Sequence, residues 1–494
     1  MKAKKISGLM ILALLGVSIN GQVRQPHSLY FMETIPQISQ MNPALQPRAN
    51  GYVMLPSVNI DFVSDLAMKD ILQKDGNNWH SPVEKQYDYA RLWKSIGKKA
   101  AMFNIGTDID IIGYGLRAGN GYFSFGISEH ISSNFALPGD LFNITDKGFP
   151  DKTIFDFSPL HYQAITYKQF LIGYSRKVNN RLTVGINIKP LFGQFAIKTD
   201  IQNFNLHTKE DQWNINAKGN VYSSLPCDVI MNEENKIDEI KYRDALDDYQ
   251  FKDWFQDYGT TFRNPGIAFD LGASYRINER ITASLSLNNL GFISWKEDLN
   301  SISFDGKYKF NGLYYDLSKD DGVKDLFQNL LDSITDVMNY KVMHNKFKTA
   351  LPPVLHVGAS YQLTESLSAG FLSRSVFWEN CFRQSFNLSA YFQPYSFVAF
   401  NAGATWQMKS NVFLGGGLTF FLGPLQIYIL ADHIPVFYST LTIDGNRLEL
   451  SDTFPVPIPE RMKTVTVRAG LNLIFGKHGY TNKPMLEKRK NSWN

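Results

Sequence analysis

The stretch "DLGASYRINERITASLSL", Asp270–Leu287, alternates apolar and polar residues on both sides of a short polar turn. Leu271, Ala273, Tyr275 and Ile277 share one face, joined after the turn by Ile281, Ala283, Leu285 and Leu287. Asp270, Gly272, Ser274, Arg276, Thr282, Ser284 and Ser286 share the other. A period of two on both sides of Asn278–Arg280 predicts a β-hairpin. The pattern recurs without gaps in "LIGYSRKVNNRLTVGI" (Leu171–Ile186), "HVGASYQLTESLSAGF" (His356–Phe371) and "NAGATWQMKSNVFLGG" (Asn401–Gly416). Each copy carries a polar-face glycine, at Gly173, Gly272, Gly358 and Gly403. Three residues later stand Arg176, Tyr275, Tyr361 and Trp406, so three of the four copies place an aromatic just before the turn. Aromatics at strand ends are what a membrane interface selects.

The polar face separates a soluble sandwich from a membrane barrel. In a sandwich that face meets bulk water and is rich in Lys, Glu and Arg. Here it is mostly Gly, Ser, Thr and Asn. Small polar residues fit a confined, wet lumen, while the apolar face meets hydrocarbon. Closure also removes the strand edges that a membrane does not tolerate. The expected fold is therefore all-β, an antiparallel transmembrane barrel of about 14 strands.

Alternation places strands at 52–63, 102–117, 121–131, 164–178, 181–197, 265–277, 280–296, 351–363, 366–378, 384–393, 396–408, 411–421, 424–432 and 462–475. With the C-terminus periplasmic, short turns fall inside, at 118–120, 179–180, 278–279, 364–365, 394–395 and 422–423. Long connections fall outside, at 64–101, 132–163, 198–264, 297–350 and 433–461, the asymmetry typical of outer-membrane barrels. One repeat turn, Lys409–Asn411, lands on the outer side. In 102–117 the apolar phase switches from odd to even at Ile111–Ile112, which predicts a β-bulge and turns Asp108 and Asp110 inward. Such a bulge either opens the wall sideways or merely closes the barrel. Apolar residues at helical spacing, Val323 to Met338, predict a helix in the connection 297–350.

The ends are read separately. Lys2, Lys4 and Lys5 precede the apolar run "ISGLMILALLGVSI", and a small residue follows at Gly21, the pattern of a signal peptide over 1–21. Residues 22–50 precede the first strand, 51–476 form the barrel, and 477–494 are a basic tail. Only Cys227 and Cys381 occur; they are a candidate disulfide in an oxidising compartment, which spacing alone does not decide. Net charge is +4, with no basic patch interleaved with aromatics, so no nucleic-acid partner is expected. No metal-ligand spacing, P-loop or nucleophile elbow is present, so neither cofactor nor enzymatic activity is expected. The lumen-facing charges are Asp108, Asp110, Lys189, Asp270, Arg276, Arg374 and Arg468. Their expected role is ion pairing across the wall or selection of solutes.

"QISQMNPALQPRANGYVMLPSVNIDF" (Gln37–Phe62) places Asn42-Pro43-Ala44 just ahead of the first strand. With Asp270–Trp295 and the close at Ile474-Phe475-Gly476, it resembles the FadL-like and PorV-like barrels, and especially an uncharacterised family among them. The resemblance implies fourteen strands in the outer membrane and an N-terminal hatch, Gln22–Asn50, in the lumen. It also implies passive transport of a hydrophobic small molecule. The alternative is a surface scaffold or a partner barrel of the type IX secretion system. Outer-membrane lipid, a hydrophobic ligand and a secretion or surface protein are the expected partners.

Overall fold

The computed structural model describes residues 26–75, 78–80, 87–96, 100–147, 149–209, 213–231, 237–242, 262–310, 340–378, 381–408, 412–434, 438–443, 454–459 and 463–476. The signal peptide expected over 1–21, the basic tail, the helix expected at Val323–Met338 and the turn Lys409–Asn411 lie outside them.

Fourteen strands of the described residues close a barrel. They are β1 Gly51–Ser64, β2 Ala100–Ala118, β3 Gly121–Pro138, β4 His161–Lys177, β5 Leu182–His207, β6 Pro265–Arg276 and β7 Ile281–Trp295. Then follow β8 Val354–Gln362, β9 Leu367–Trp378, β10 Cys381–Tyr395, β11 Val398–Gln407, β12 Val412–Leu422, β13 Leu425–Ile434 and β14 Thr464–Phe475. Each pairs antiparallel with the next, and β14 returns to β1 from Gly51↔Phe475 to Val63↔Thr464. No strand edge is left along the wall, which is what lets such a sheet stand in hydrocarbon. The six short turns expected inside lie at one end, together with Asn50 and Gly476.

Alternation sorts the two faces. Val58, Ile60, Leu271, Leu285, Leu388, Ile429 and Leu471 are exposed on the outside, whereas Asn59, Asp61, Asp270, Ser286, Asn387 and Asn472 are buried inside. Tyr174, Tyr275, Tyr361 and Tyr395 stand exposed near the short-turn end, and Trp406 near the other. The turns have a local cause. Asn179 Oδ1 accepts from the Arg181 and Leu182 amides, and Asn278 Oδ1 accepts from those of Arg280 and Ile281, each at 2.8 Å. Thr364 Oγ1 accepts from the Leu367 amide at 3.1 Å. These are side-chain turn caps.

Several strands outrun their expected lengths. β3 continues to Pro138 and β5 to His207. β5 pairs there with Trp213–Ser224, which in turn pairs with Ser301–Phe310, so the connections expected to be loops extend the sheet beyond the long-loop end. Ile144, Phe155, Leu206, Trp213, Ile215 and Tyr308 give this extension its own apolar core.

Two bulges shape the wall. β2 shifts by one residue against β3 between Asp110 and Ile112, leaving Ile111 and Ile112 both exposed on the outside. β7 shifts against β6 where Asn289 takes φ 61°, a left-handed conformation that asparagine tolerates better than most residues. The freed Asn289 amide donates to Asp270 Oδ1 at 2.8 Å.

Candidate functional site

Residues 26–50 lie inside the barrel. A 3-10 turn, His27–Phe31, and a single helical turn, Ile38–Met41, carry Leu29, Tyr30, Met32, Ile35 and Met41 against Leu372, Tyr391, Tyr428 and Leu430 of the wall. Full burial of side chains this size is worth about 1.5–3 kcal/mol each, so the segment is held by apolar packing as well as by polar contacts. Gln37 exchanges two hydrogen bonds with Asn472, at 2.9 and 3.1 Å. Gln426 Nε2 donates to Thr34 O at 2.9 Å. At the segment's upper end His27 bonds Asp432 through its amide and its ring, and Ser385 at 2.8 Å.

Asn42-Pro43-Ala44 forms the bend of this segment. Asn42 Oδ1 accepts from the Ala44 amide at 2.9 Å, while Nδ2 donates to Tyr30 Oη at 3.0 Å and Leu285 O at 3.3 Å. The bend rests on lumen glycines. A Cβ on Gly272 would lie 2.2 Å from Asn42 Oδ1, and one on Gly185 would lie 2.3 Å from Pro43 O. Gly358 meets Tyr30 and Gly370 meets Phe31 in the same way, at 2.6 and 2.5 Å. The small residues of the polar face thus make room for the chain's own N-terminal segment.

Above the segment lies a layer of buried charge. Arg468 Nη2 reaches Asp110 Oδ2 at 2.5 Å, and Lys189 Nζ reaches Asp270 Oδ2 at 2.7 Å. Asn187 Nδ2 adds a bond to Asp270 Oδ2 at 3.0 Å, and Lys189 Nζ one to Asn289 Oδ1 at 3.0 Å. Asp108 holds Nδ1 of His130. Buried charges require this pairing, because an isolated one is desolvated at great cost.

These groups border a cavity of about 100 Å³. Gln40 and Met41 of the N-terminal segment line it. Asp108, Asp110, His130, Lys189, His356 and Arg374 bring charge and imidazole to it, and Ile165, Leu171, Leu351 and Val354 give it an apolar side. Beyond Leu351 the lumen is packed by Trp295, Leu191, Ala268, Ile293 and Phe347.

Of the seven charges expected in the lumen, Asp108, Asp110, Lys189 and Arg374 line the cavity, while Asp270 and Arg468 stand behind it as ion-pair partners. Arg276 is exposed at the short-turn rim, at the last position of β6. Ile111 and Ile112 sit on the outer face over Asp110. Cys227 is buried outside the barrel wall, where Asn300 Nδ2 donates to its carbonyl at 2.8 Å; the Cys381 side chain lies outside the described residues. Sequence reasoning missed His130, His356, Asn288 and Asn289. Parity marked the histidines, since His130 lies in phase with Ser128 and Ser132, and His356 with Gly358.

The fold is similar to that of several solved barrels at very low identity. The P. putida toluene transporter TodX is 8% identical, covering 88% of this chain and 93% of its own, with a TM-score of 0.42. The Ralstonia pickettii toluene transporter TbuX is 10% identical over 89% and 94%, with a TM-score of 0.42. A Pseudomonas aeruginosa FadL homologue is 11% identical over 92% and 100%, with a TM-score of 0.41. No curated protein matches the sequence. A family model described as a family of unknown function, DUF5723, matches residues 43–432, from the Pro43 bend to Asp432 beside His27, and the chain belongs to that family.

Proposed function

We propose that this chain is an outer-membrane barrel that passes a small, largely apolar molecule, with residues 26–50 acting as a hatch. One observation carries the reading: the segment fills the lumen at the short-turn end and itself lines the cavity above it. The outward apolar belt supports a lipid environment. The bulge at Ile111–Ile112, together with Pro56 on the neighbouring strand, supports a weak point in the wall beside the hatch contact Gln40–Asp110.

The test is uptake of an apolar solute into proteoliposomes by three forms of the protein. Deleting residues 26–50 is expected to raise uptake. A disulfide pinning the segment to β14 is expected to lower it below that of the unmodified protein. Equal uptake by all three forms defeats the transport reading.

A second reading rests on the sheet extension beyond the long-loop end. Its separate core makes a packed platform, which suits a surface scaffold or a partner barrel of a secretion system. Co-purification of a stoichiometric surface partner that is lost when Trp213–Ser224 is replaced would favour it.

A further inference from the structure

Three neighbouring hairpin ends at the short-turn mouth, 115–123, 174–184 and 273–283, carry Arg117, Arg176, Lys177, Arg181, Arg276 and Arg280 against a single acid, Glu279. The three on the other side of the mouth, 360–369, 393–400 and 420–427, carry no Lys or Arg and one acid, Glu365. The positive charge of this rim is therefore an arc over one side. Backbone bonds join its members to their neighbours. Lys177 N donates to Asn120 O at 2.9 Å, Arg276 N to Arg181 O at 2.8 Å, and Gln362 N to Arg280 O at 2.8 Å. Lys177 also stands in the field of Arg117 and Arg276.

The protein itself leaves most of this charge unmatched. Arg117 is held by the N-terminal segment, donating to Gln46 Oε1 and Pro47 O, each at 2.7 Å, and nearby Glu33 is taken by Arg48 at 3.1 Å. Among the described residues no ion pair engages Arg176, Lys177, Arg181, Arg276 or Arg280, and all five are exposed. Strand spacing is smaller than the Debye length of about 8 Å at physiological ionic strength, so the fields of these cations add at the mouth.

Parity says which surface the arc serves. Arg117, Lys177 and Arg276 are in phase with Gly115, Ser175 and Ser274 of the lumen face, whereas Arg176 is in phase with the exposed outer Tyr174. A lipid headgroup layer surrounds the whole barrel and meets the outer face all round. This arc is one-sided and mostly turned to the mouth, which favours an occupant that is not lipid. Its span sets the size of that occupant. Five strand steps separate β2 from β7, roughly 25 Å at about 4.8 Å each, the length of about eight extended residues. Five of the six cations are arginines, whose planar forks pair with carboxylates in bidentate geometry.

We propose that the short-turn mouth is a docking surface for an extended acidic segment of a partner protein, its carboxylates laid along the arginine arc. Arg117 brings the end of that segment beside Gln46 and Pro47 of the N-terminal segment. The proposal holds whether or not the lumen conducts.

The experiment is fluorescence anisotropy of labelled octaglutamate and tetraglutamate peptides with the full protein in phosphatidylcholine nanodiscs, against empty nanodiscs. Octaglutamate is expected to bind at least tenfold more tightly than tetraglutamate, because only the longer chain spans the arc. Equal affinities, or no binding of either, overturn the proposal. Lys177→Gln/Arg181→Gln/Arg276→Gln/Arg280→Gln is expected to weaken octaglutamate at least tenfold. Unfolding midpoints are measured on the same samples; a folded quadruple variant with unchanged affinity overturns the proposal, and if it does not fold the two-peptide comparison decides. A lipid arm separates the other source of anions. The protein is purified from an equimolar mixture of phosphatidylglycerol and phosphatidylcholine, and the retained lipid is counted. Equal retention of phosphatidylglycerol by the unmodified and quadruple-variant proteins is expected; selective retention that the variant loses would assign the arc to lipid and overturn the protein reading.

Discussion

Asp110 on β2 and Arg468 on β14 meet at 2.5 Å across the lumen face of β1. Ser57 of β1 donates to the same Asp110 oxygen at 2.7 Å. Gln40 of the N-terminal segment joins both partners, donating to Asp110 Oδ1 at 3.1 Å and accepting from Arg468 Nη2 at 3.0 Å. One ion pair therefore does two things: it ties the closing strands together and supplies one of the polar anchors of the segment. Arg468→Met leaves a buried carboxylate without its cation and is expected to cost about 3–5 kcal/mol in urea unfolding. The double variant Asp110→Leu/Arg468→Met removes both charges and is expected to regain most of that loss. It also releases Gln40, so its solute uptake should exceed that of the unmodified protein. A double variant no more stable than Arg468→Met would show that the pair is not coupled in this way.

The glycines under the Asn42–Ala44 bend give a sharper handle on the segment. At Gly185 the obstacle to a side chain is the Pro43 backbone, which has no rotamer to swing aside. Gly185→Val is expected to displace the bend and raise uptake in proteoliposomes. Gly403→Val is its control, because that lumen glycine faces neighbouring wall residues and not the N-terminal segment. Equal uptake by the two variants would remove the bend from any gating role.

Asn289 tests the bulge that positions Lys189 and Asp270. Both Asn289→Gly and Asn289→Val lose the bond to Lys189 Nζ. Only valine must also enter the left-handed region, at roughly 1–2 kcal/mol. Asn289→Val is therefore expected to unfold at lower urea than Asn289→Gly. The reverse order would show that φ 61° is not retained at this position.

All fourteen strands were legible, because a two-residue period written against lipid is a strong signal even when each strand is short. The bulge position was legible for the same reason, since a one-residue slip exchanges the two faces between Ile111 and Ile112. The prolongation of β3 and β5 was not. Past the apolar belt the pressure to alternate ends, and the pairing of Asn203 or Asn216 with a neighbour leaves no periodic trace. The docking of residues 26–50 was also hidden, because Tyr30 finds Gly358 and Ser284 only after the chain has gone round the barrel. What parity does carry is which side of the wall a residue occupies. It placed Asp108, Lys189 and Arg374 inward, and the same rule applied to His130 and His356 reaches two more residues of the cavity lining.

The packing above the cavity turns on Trp295, which is fully buried, stacks on Phe347 at 5.9 Å and lies against Gly193. Its Nε1 donates to Thr349 Oγ1 at 2.9 Å. Two contributions are separable here. Trp295→Ala removes ring and bond together and is expected to cost about 3–5 kcal/mol, mostly through the space it leaves. Thr349→Val keeps the shape but strands the indole hydrogen, an expected loss of about 1–3 kcal/mol. In Trp295→Phe/Thr349→Val the stranded donor is gone while an aromatic ring still faces Phe347. That double variant should be more stable than the sum of its single changes predicts, by an amount a double-mutant cycle of unfolding midpoints reads directly. Strict additivity would mean that the 2.9 Å contact contributes nothing to the stability of this packing.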